Sequence, residues 1–265
     1  MRMILSRRQF MASILALVLM PRQALADRVV RLSAYHVNIG ILFNLFTFTL
    51  DGSVHEEIDR AAGRYQVRIS GEGSGITSRI ESVGVLRERR FAPTVTTSFF
   101  SVRGRESRTR VSYDYDRRLV HYRHTSQTFF LGRQRIGEDD LEIPPGRTLD
   151  DVVSASLNHA EGLLERDGLQ GYRTFVVRRK RSEREGPDDV EPGRYRAEIV
   201  PLRFTVIRDK ETDRDVSLVD LTGFSSWARA SHPARVTFGP DRRPDSIEAS
   251  LILGTRFAIT LQPSA

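Results

Sequence analysis

Phe46-Thr47-Phe48-Thr49-Leu50-Asp51-Gly52 (FTFTLDG) decides how the rest of the chain is read. Apolar side chains fall at every second residue with threonines between them, the period of a strand that buries one face. Asp51-Gly52 then reads as a turn. The same period recurs at Tyr65-Gln66-Val67-Arg68-Ile69. It recurs again from Val111 to Asp116, which runs through Arg117-Arg118 into Leu119-Val120-His121-Tyr122 as a hairpin. Further copies lie at Tyr195–Ile199, at Leu202–Val206, at Ile247, Ala249, Leu251 and Leu253, and, after Gly254, at Phe257, Ile259 and Leu261. The spacing predicts about a dozen antiparallel strands forming a barrel, half-barrel or sandwich.

One segment departs from this period. In TLDDVVSASLNHAEGLLERDG, apolar residues fall at Leu149, Val152, Val153, Leu157, Ala160, Leu163 and Leu164, which is helical spacing. Thr148 with Asp151 resembles a capping box, and Gly168 offers a stop. A helix over about 148–166 is expected to cover an open end or face of the sheet. Two longer loops are expected, at 132–147 and 182–193.

The first 26 residues read as a leader. Arg2, Arg7 and Arg8 precede the apolar run Met11–Met20, which is shorter than the roughly 20 residues that cross a bilayer. Ala24-Leu25-Ala26 is a small-x-small cleavage site, so the mature chain is expected to start at Asp27. Ser6-Arg7-Arg8-Gln9-Phe10 resembles the twin-arginine export signal; an ordinary secretory signal with paired arginines is the alternative. Either route predicts a periplasmic protein that meets the export translocase and signal peptidase through this leader.

Removing 26 of 265 residues leaves 239, read as a single β-rich domain over 27–265. The four leader arginines take the net charge from +7 to +3. The arginines are spread among acids along the chain, so nucleic acid is not an expected partner. No other run approaches membrane-spanning length, and the mature chain is expected to be soluble. Cysteine is absent, which excludes disulfides, zinc-thiolate sites and iron–sulfur clusters.

Several stretches resemble an exported bacterial family, domain-of-unknown-function family 3108. They are AYHVNIGILFNLFTFTLDG, the Tyr65 strand followed by Gly75-Ile76-Thr77-Ser78, and RFAPT at Arg90–Thr94. DDVVSASL, with Asp151 and Ser154, and SSWARASHPARVTFGPDRRPDSIEASLILG complete the set. The resemblance implies an exported β-rich protein and carries over no catalytic residue. The acidic, then proline-rich stretch from Asp139 to Arg147 departs from that pattern. So does Ser225-Ser226-Trp227, which lacks an apolar strand before the tryptophan.

Four groups of residues are candidates for chemistry. His121 and His124 on one strand would point to opposite faces. Joined by Asp114 or Asp116 they would suit a metal or a hydrolase; otherwise they are surface histidines of a charged hairpin. Gly71-Glu72-Gly73-Ser74-Gly75 lacks the register of a nucleophile elbow or phosphate loop and predicts a bulge or sharp strand bend. Arg178-Arg179-Lys180-Arg181 reads as a solvated edge strand balanced by Asp188, Asp189 and Glu191, or as a basic edge that meets anionic lipid headgroups or acidic envelope polymers. The clustered phenylalanines either fill a barrel core or line a cavity for a lipophilic ligand, with Phe43, Phe46, Phe48, Phe99 and Phe129 as its wall and Phe100 and Phe130 beside them. The expected function is non-catalytic binding of a hydrophobic envelope component, without a cofactor or metal. A structural or protein-interaction role in the envelope, and a hydrolase, are the alternatives.

Overall fold

The computed structural model describes residues 28–41, 43–181, 185–186, 188–191, 193–225 and 228–262. The leader, with Arg7, Arg8, Ala24 and Ala26, lies outside the described residues, as do Ser226 and Trp227. The chain is mainly β and barrel-like, with one α-helix among the described residues.

The first half is an antiparallel meander: β1 (Arg28–Ile41), β2 (Phe46–Asp59), β3 (Arg64–Gly73), β4 (Ile76–Arg87), β5 (Arg90–Val102), β6 (Arg105–Asp114), β7 (Leu119–Gln127) and β8 (Gln134–Glu142). Then follow β9 (Leu149–Asp150), the helix α1 (Val152–Ala160) and β10 (Glu165–Arg166). A second meander completes the sheet: β11 (Gly171–Arg179), β12 (Ala197–Asp209), β13 (Arg214–Val219), β14 (Ala234–Phe238), β15 (Pro244–Ser250) and β16 (Arg256–Gln262). Strand β16 pairs with β1, so one sheet runs from β10 through β16 and β1 to β8, with β9 added in parallel on β11.

The two edges meet without a full ladder. The Tyr195 N–H donates to the Ile136 carbonyl at 2.8 Å, and the Ala197 N–H donates to the Asp139 carboxylate at 3.0 Å. Val120 and Tyr122 of β7 pack in one cluster with Phe175 and Val177 of β11. A side-chain acceptor and an apolar seam thus stand in for strand pairing, which protects the edges that an open sheet would expose.

Three local expectations are corrected. Asp51-Gly52 is not a turn, because β2 continues through it to Asp59. Gly52 pairs with both Tyr35 and Gly71, and a Cβ at either glycine would strike the tyrosine side chain. The glycines therefore seat the Tyr35 side chain across two strands. Gly71–Gly75 holds no bulge either: Gly73 pairs with Ile76, and Ser74-Gly75, at φ 43° and 72°, form a two-residue hairpin turn. Register shifts lie elsewhere: Thr94 of β5 is the extra residue opposite Val83 and Gly84 of β4, and β14 and β15 shift at Thr237/Phe238. Finally, most of the expected 132–147 loop is strand β8, whose inward residues are Arg135, Gly137 and Asp139 rather than an apolar set.

The helix is shorter than the expected 148–166. Asp151 is its N-cap, accepting from the Ser154 N–H at 2.6 Å, while the Ser154 hydroxyl accepts from the Asp151 N–H at 3.0 Å. Thr148 takes no part, since Leu149 and Asp150 are drawn into β9. Gly162, at φ 73°, ends the helix by donating to the His159 carbonyl. Six of its nine residues are buried, so it plugs one end of the barrel rather than lying on a face. Val153 and Leu157 pack on Ile58, Tyr65 and Phe91, and His159 lies among the rings of Tyr172, Phe204 and Phe238. The β1–β2, β3–β4 and β5–β6 hairpin turns lie at the opposite end of the meander.

Candidate functional site

The plugged end is built on a buried polar network. Asp150, fully buried, accepts from Arg90 at 2.5 Å, Asn158 at 2.9 Å and Ser154 at 3.0 Å, and also from the Thr174 hydroxyl. Asp151 accepts from the Ser82 and Thr96 hydroxyls at 2.5 Å each. The Asn158 carboxamide also clamps both backbone groups of Phe91, at 2.9 Å each. Burial pushes the phenols of Tyr65, Tyr113 and Tyr115 up, aided by the nearby Asp151 charge and, for Tyr65 and Tyr115, by Asp150, so all three stay protonated. Every oxygen of the two carboxylates has a partner, which is the pattern of a structural lock.

The other end is hollow. A cavity of about 690 Å³ opens there, within the range of small-ligand sites. Its apolar wall comes from β1, β2, β4 and β5: Ile39, Ile41, Phe48, Ile76, Phe100 and Val102. The strand registers set this wall, since Ile39 pairs with Phe48, and Ile76 with Val102. The facing wall is basic, with Arg105, Arg135, Arg178, Arg179 and Arg181 around His124. The His124 ring lies between the Thr109 and Ser126 hydroxyls, at 2.9 and 3.0 Å. Burial, then the Arg179 and Arg135 charges, lower its pKa to about 4, which keeps it neutral near pH 7. A larger hollow of about 820 Å³ is lined by Asn38, Thr47, Ser231 and His232 together with Leu218 and Phe257, without the row of arginines that marks the first.

The phenylalanines divide. Phe48, Phe100 and Phe129 line the cavity. Phe99 stacks under Arg108 on the alternate face of β5, and Phe43 is exposed in the β1–β2 turn. The side chain of Phe46 lies outside the described residues. Phe43, Leu45, Phe130 and Leu131, all exposed, belong to loops at the open end.

The arginine run is not a solvated edge. Arg178 pairs with Glu198 at 2.8 Å, and Arg179 holds the buried Glu185 through two bonds, at 2.9 and 2.5 Å. Among the acids expected to balance it, Asp188 instead accepts from the backbone of Leu131 and Phe130, at 2.7 and 3.3 Å. Asp189 accepts from the Gly186 N–H. Sequence order hid these pairs, because Glu198 belongs to the next strand and Glu185 to the loop between.

The histidine trio does not form. His121 faces outward and bonds Asp140 at 2.6 Å, while His124 faces the interior. Asp114 accepts from the Arg117 N–H, and Asp116 meets Arg87 at 3.5 Å. Among the described residues, no group of three or more His, Asp or Glu side chains is placed to hold a metal ion. Nor is any helix among them long and apolar enough to cross a membrane, which says nothing of strands.

No family model matches the chain. No curated protein matches it either. Among solved structures it is similar to the crystal structure of a β-barrel-like protein of domain of unknown function DUF1849 from Brucella abortus. That likeness is at 11% identity with a TM-score of 0.37, covering 89% of this chain and 98% of that one. The resemblance to family 3108 therefore rests on the short motifs alone.

Proposed function

We propose that the chain is an exported periplasmic binding protein that takes a hydrophobic component of the cell envelope into its open barrel end. The observation that carries this reading is the cavity of about 690 Å³ with its continuous apolar wall. Ile41, Phe48, Ile76 and Val102 are buried behind Ile39 and Phe100, whose exposed apolar surface costs roughly 25 cal/mol per Å² in water, a penalty that a ligand's acyl or ring surface would remove. Phe43 and Leu45 of the β1–β2 turn and Phe130 and Leu131 of the β7–β8 turn are exposed at the same end and support the reading, since exposed apolar side chains favour contact with lipid-like surfaces.

The uptake of 1-N-phenylnaphthylamine tests this directly. Its fluorescence is expected to rise and saturate at one probe per chain. Phe100→Arg places a charge on the inward face of β5 at a half-exposed position, and is expected to abolish the rise without unfolding the chain. Fluorescence that never saturates, or is unchanged in Phe100→Arg, would refute the cavity as a binding site.

Export is the second half of the proposal and rests on the leader. Replacing Arg7 and Arg8 together by lysine is expected to trap the precursor in the cytoplasm, because the twin-arginine receptor reads the guanidinium pair. Cell fractionation with immunoblotting gives the result. Undiminished export would assign the ordinary secretory route.

A further inference from the structure

The basic wall of the cavity carries more positive charge than its neighbours neutralise. Arg135 and Arg179 share one buried carboxylate, Glu185, at 3.4 and 2.5 Å. Arg181 lies close enough to feel the same charge, and among the described residues its guanidinium bonds backbone carbonyls, of Thr222 at 3.2 Å and Glu185 at 3.4 Å. Arg178 has Glu198, and Arg105 has no ion pair among the described residues. Asp188 contributes at a distance, already committed to the backbone of Phe130 and Leu131. Among the described residues, five guanidinium groups thus face three carboxylates.

Two details sharpen the imbalance. The Nε atoms of Arg178 and Arg181 are buried with no hydrogen-bond partner. An unsatisfied buried donor is costly, and more so on a cation. Burial also lowers the Arg181 pKa, with the neighbouring Arg179, Arg178 and Arg135 adding to the effect against Glu185. An anion in the cavity would offset the excess positive charge around Arg181, and the planar guanidinium fork suits carboxylate and phosphate oxygens alike.

We propose that this arginine wall binds the anionic headgroup, carboxylate or phosphate, of a single-chain amphiphile whose hydrocarbon tail lies on the apolar wall. The inference rests on the hydrophobic-binding reading above and adds the class of ligand. Apolar and basic walls share one cavity, so head and tail are held at once. Neither a neutral lipid nor a free anion uses both.

Displacement of bound 1-N-phenylnaphthylamine by four compounds tests it: tetradecanoate, tetradecyl phosphate, tetradecanol and inorganic phosphate. At least one anionic amphiphile is expected to displace the probe at a concentration about tenfold or more below tetradecanol, since charge-assisted hydrogen bonds are about twice as strong as neutral ones. Whichever of the two is stronger identifies the headgroup. Inorganic phosphate is expected neither to displace the probe nor to raise the melting temperature. Arg105→Gln breaks no ion pair among the described residues and is expected to shrink the ratio between the displacing concentrations of tetradecanol and the anion. The paired change Arg178→Gln with Glu198→Gln leaves no orphaned charge and is expected to shrink it further.

Equal displacement by tetradecanol and both anions would overturn the headgroup assignment and leave the hydrophobic reading standing. Stabilisation by inorganic phosphate, with no preference among the tailed compounds, would overturn it in favour of a free-anion site. Failure of the probe to bind at all would remove both readings.

Discussion

Asp150→Ala is expected to cost about 3–5 kcal/mol of folding stability, the range for breaking a buried ion pair by removing one partner. Asp150 is fully buried and joins the Arg90 guanidinium, two hydroxyls and the Asn158 carboxamide at one point. These donors come from β5, β11 and α1, so the carboxylate ties the plug to strands far apart in the chain. Alanine would leave a half-buried cation and several buried donors without an acceptor. Urea unfolding followed by circular dichroism measures the loss. The double change Asp150→Ala with Arg90→Met should recover part of it, because the orphaned cation goes too. A single-variant loss below about 1 kcal/mol would show that the network does not hold the plug.

Phe91→Ala is expected to be comparably severe, at about 3–5 kcal/mol. The ring is fully buried, meets Tyr65 edge-on at 5.4 Å, and packs with Val153 and Leu157 of the helix. Its backbone is held independently by Asn158, so truncation should leave a void that the strand cannot move to fill. Phe48→Ala is the informative control. Phe48 is also buried, but its ring lines a cavity that is already open. Its removal enlarges an existing space and is expected to cost clearly less than Phe91→Ala in the same urea experiment, while weakening probe uptake. Equal losses would mean that the open end is packed as tightly as the plugged one.

The two ends of the barrel thus have opposite physics. At one, the buried carboxylates of Asp150 and Asp151 have all their partners and the helix fills the space. At the other, strand register leaves an apolar wall and a partly compensated basic wall around a cavity. The first is suited to rigidity, the second to a ligand.

Much of this was legible in the residues, and the exceptions share a cause. The β class, the β6–β7 hairpin and the existence of the helix followed from local pattern. Alternating apolar residues such as Phe48 and Leu50 or Tyr65 and Val67 face inward as their period requires. Asp151 and Ser154 cap the helix by bonds within one turn. β8 gives no strand signal in the sequence because its inward residues are Arg135, Gly137 and Asp139, which no hydrophobic period can register. Arg178 and Arg179 carry no sequence sign of their burial because it depends on Glu198 and Glu185, which only the folded hairpin brings beside them. Asp51-Gly52 carried a turn signature, but its glycine serves the Tyr35 side chain on the neighbouring strand. The sequence alone determined where extended chain and helix would form, because those preferences are set by contacts within a few residues. Only the tertiary structure decided which charges could be buried and whether the interior was filled, because a buried charge needs partners distant in the chain and a cavity is the space that many strands together fail to fill.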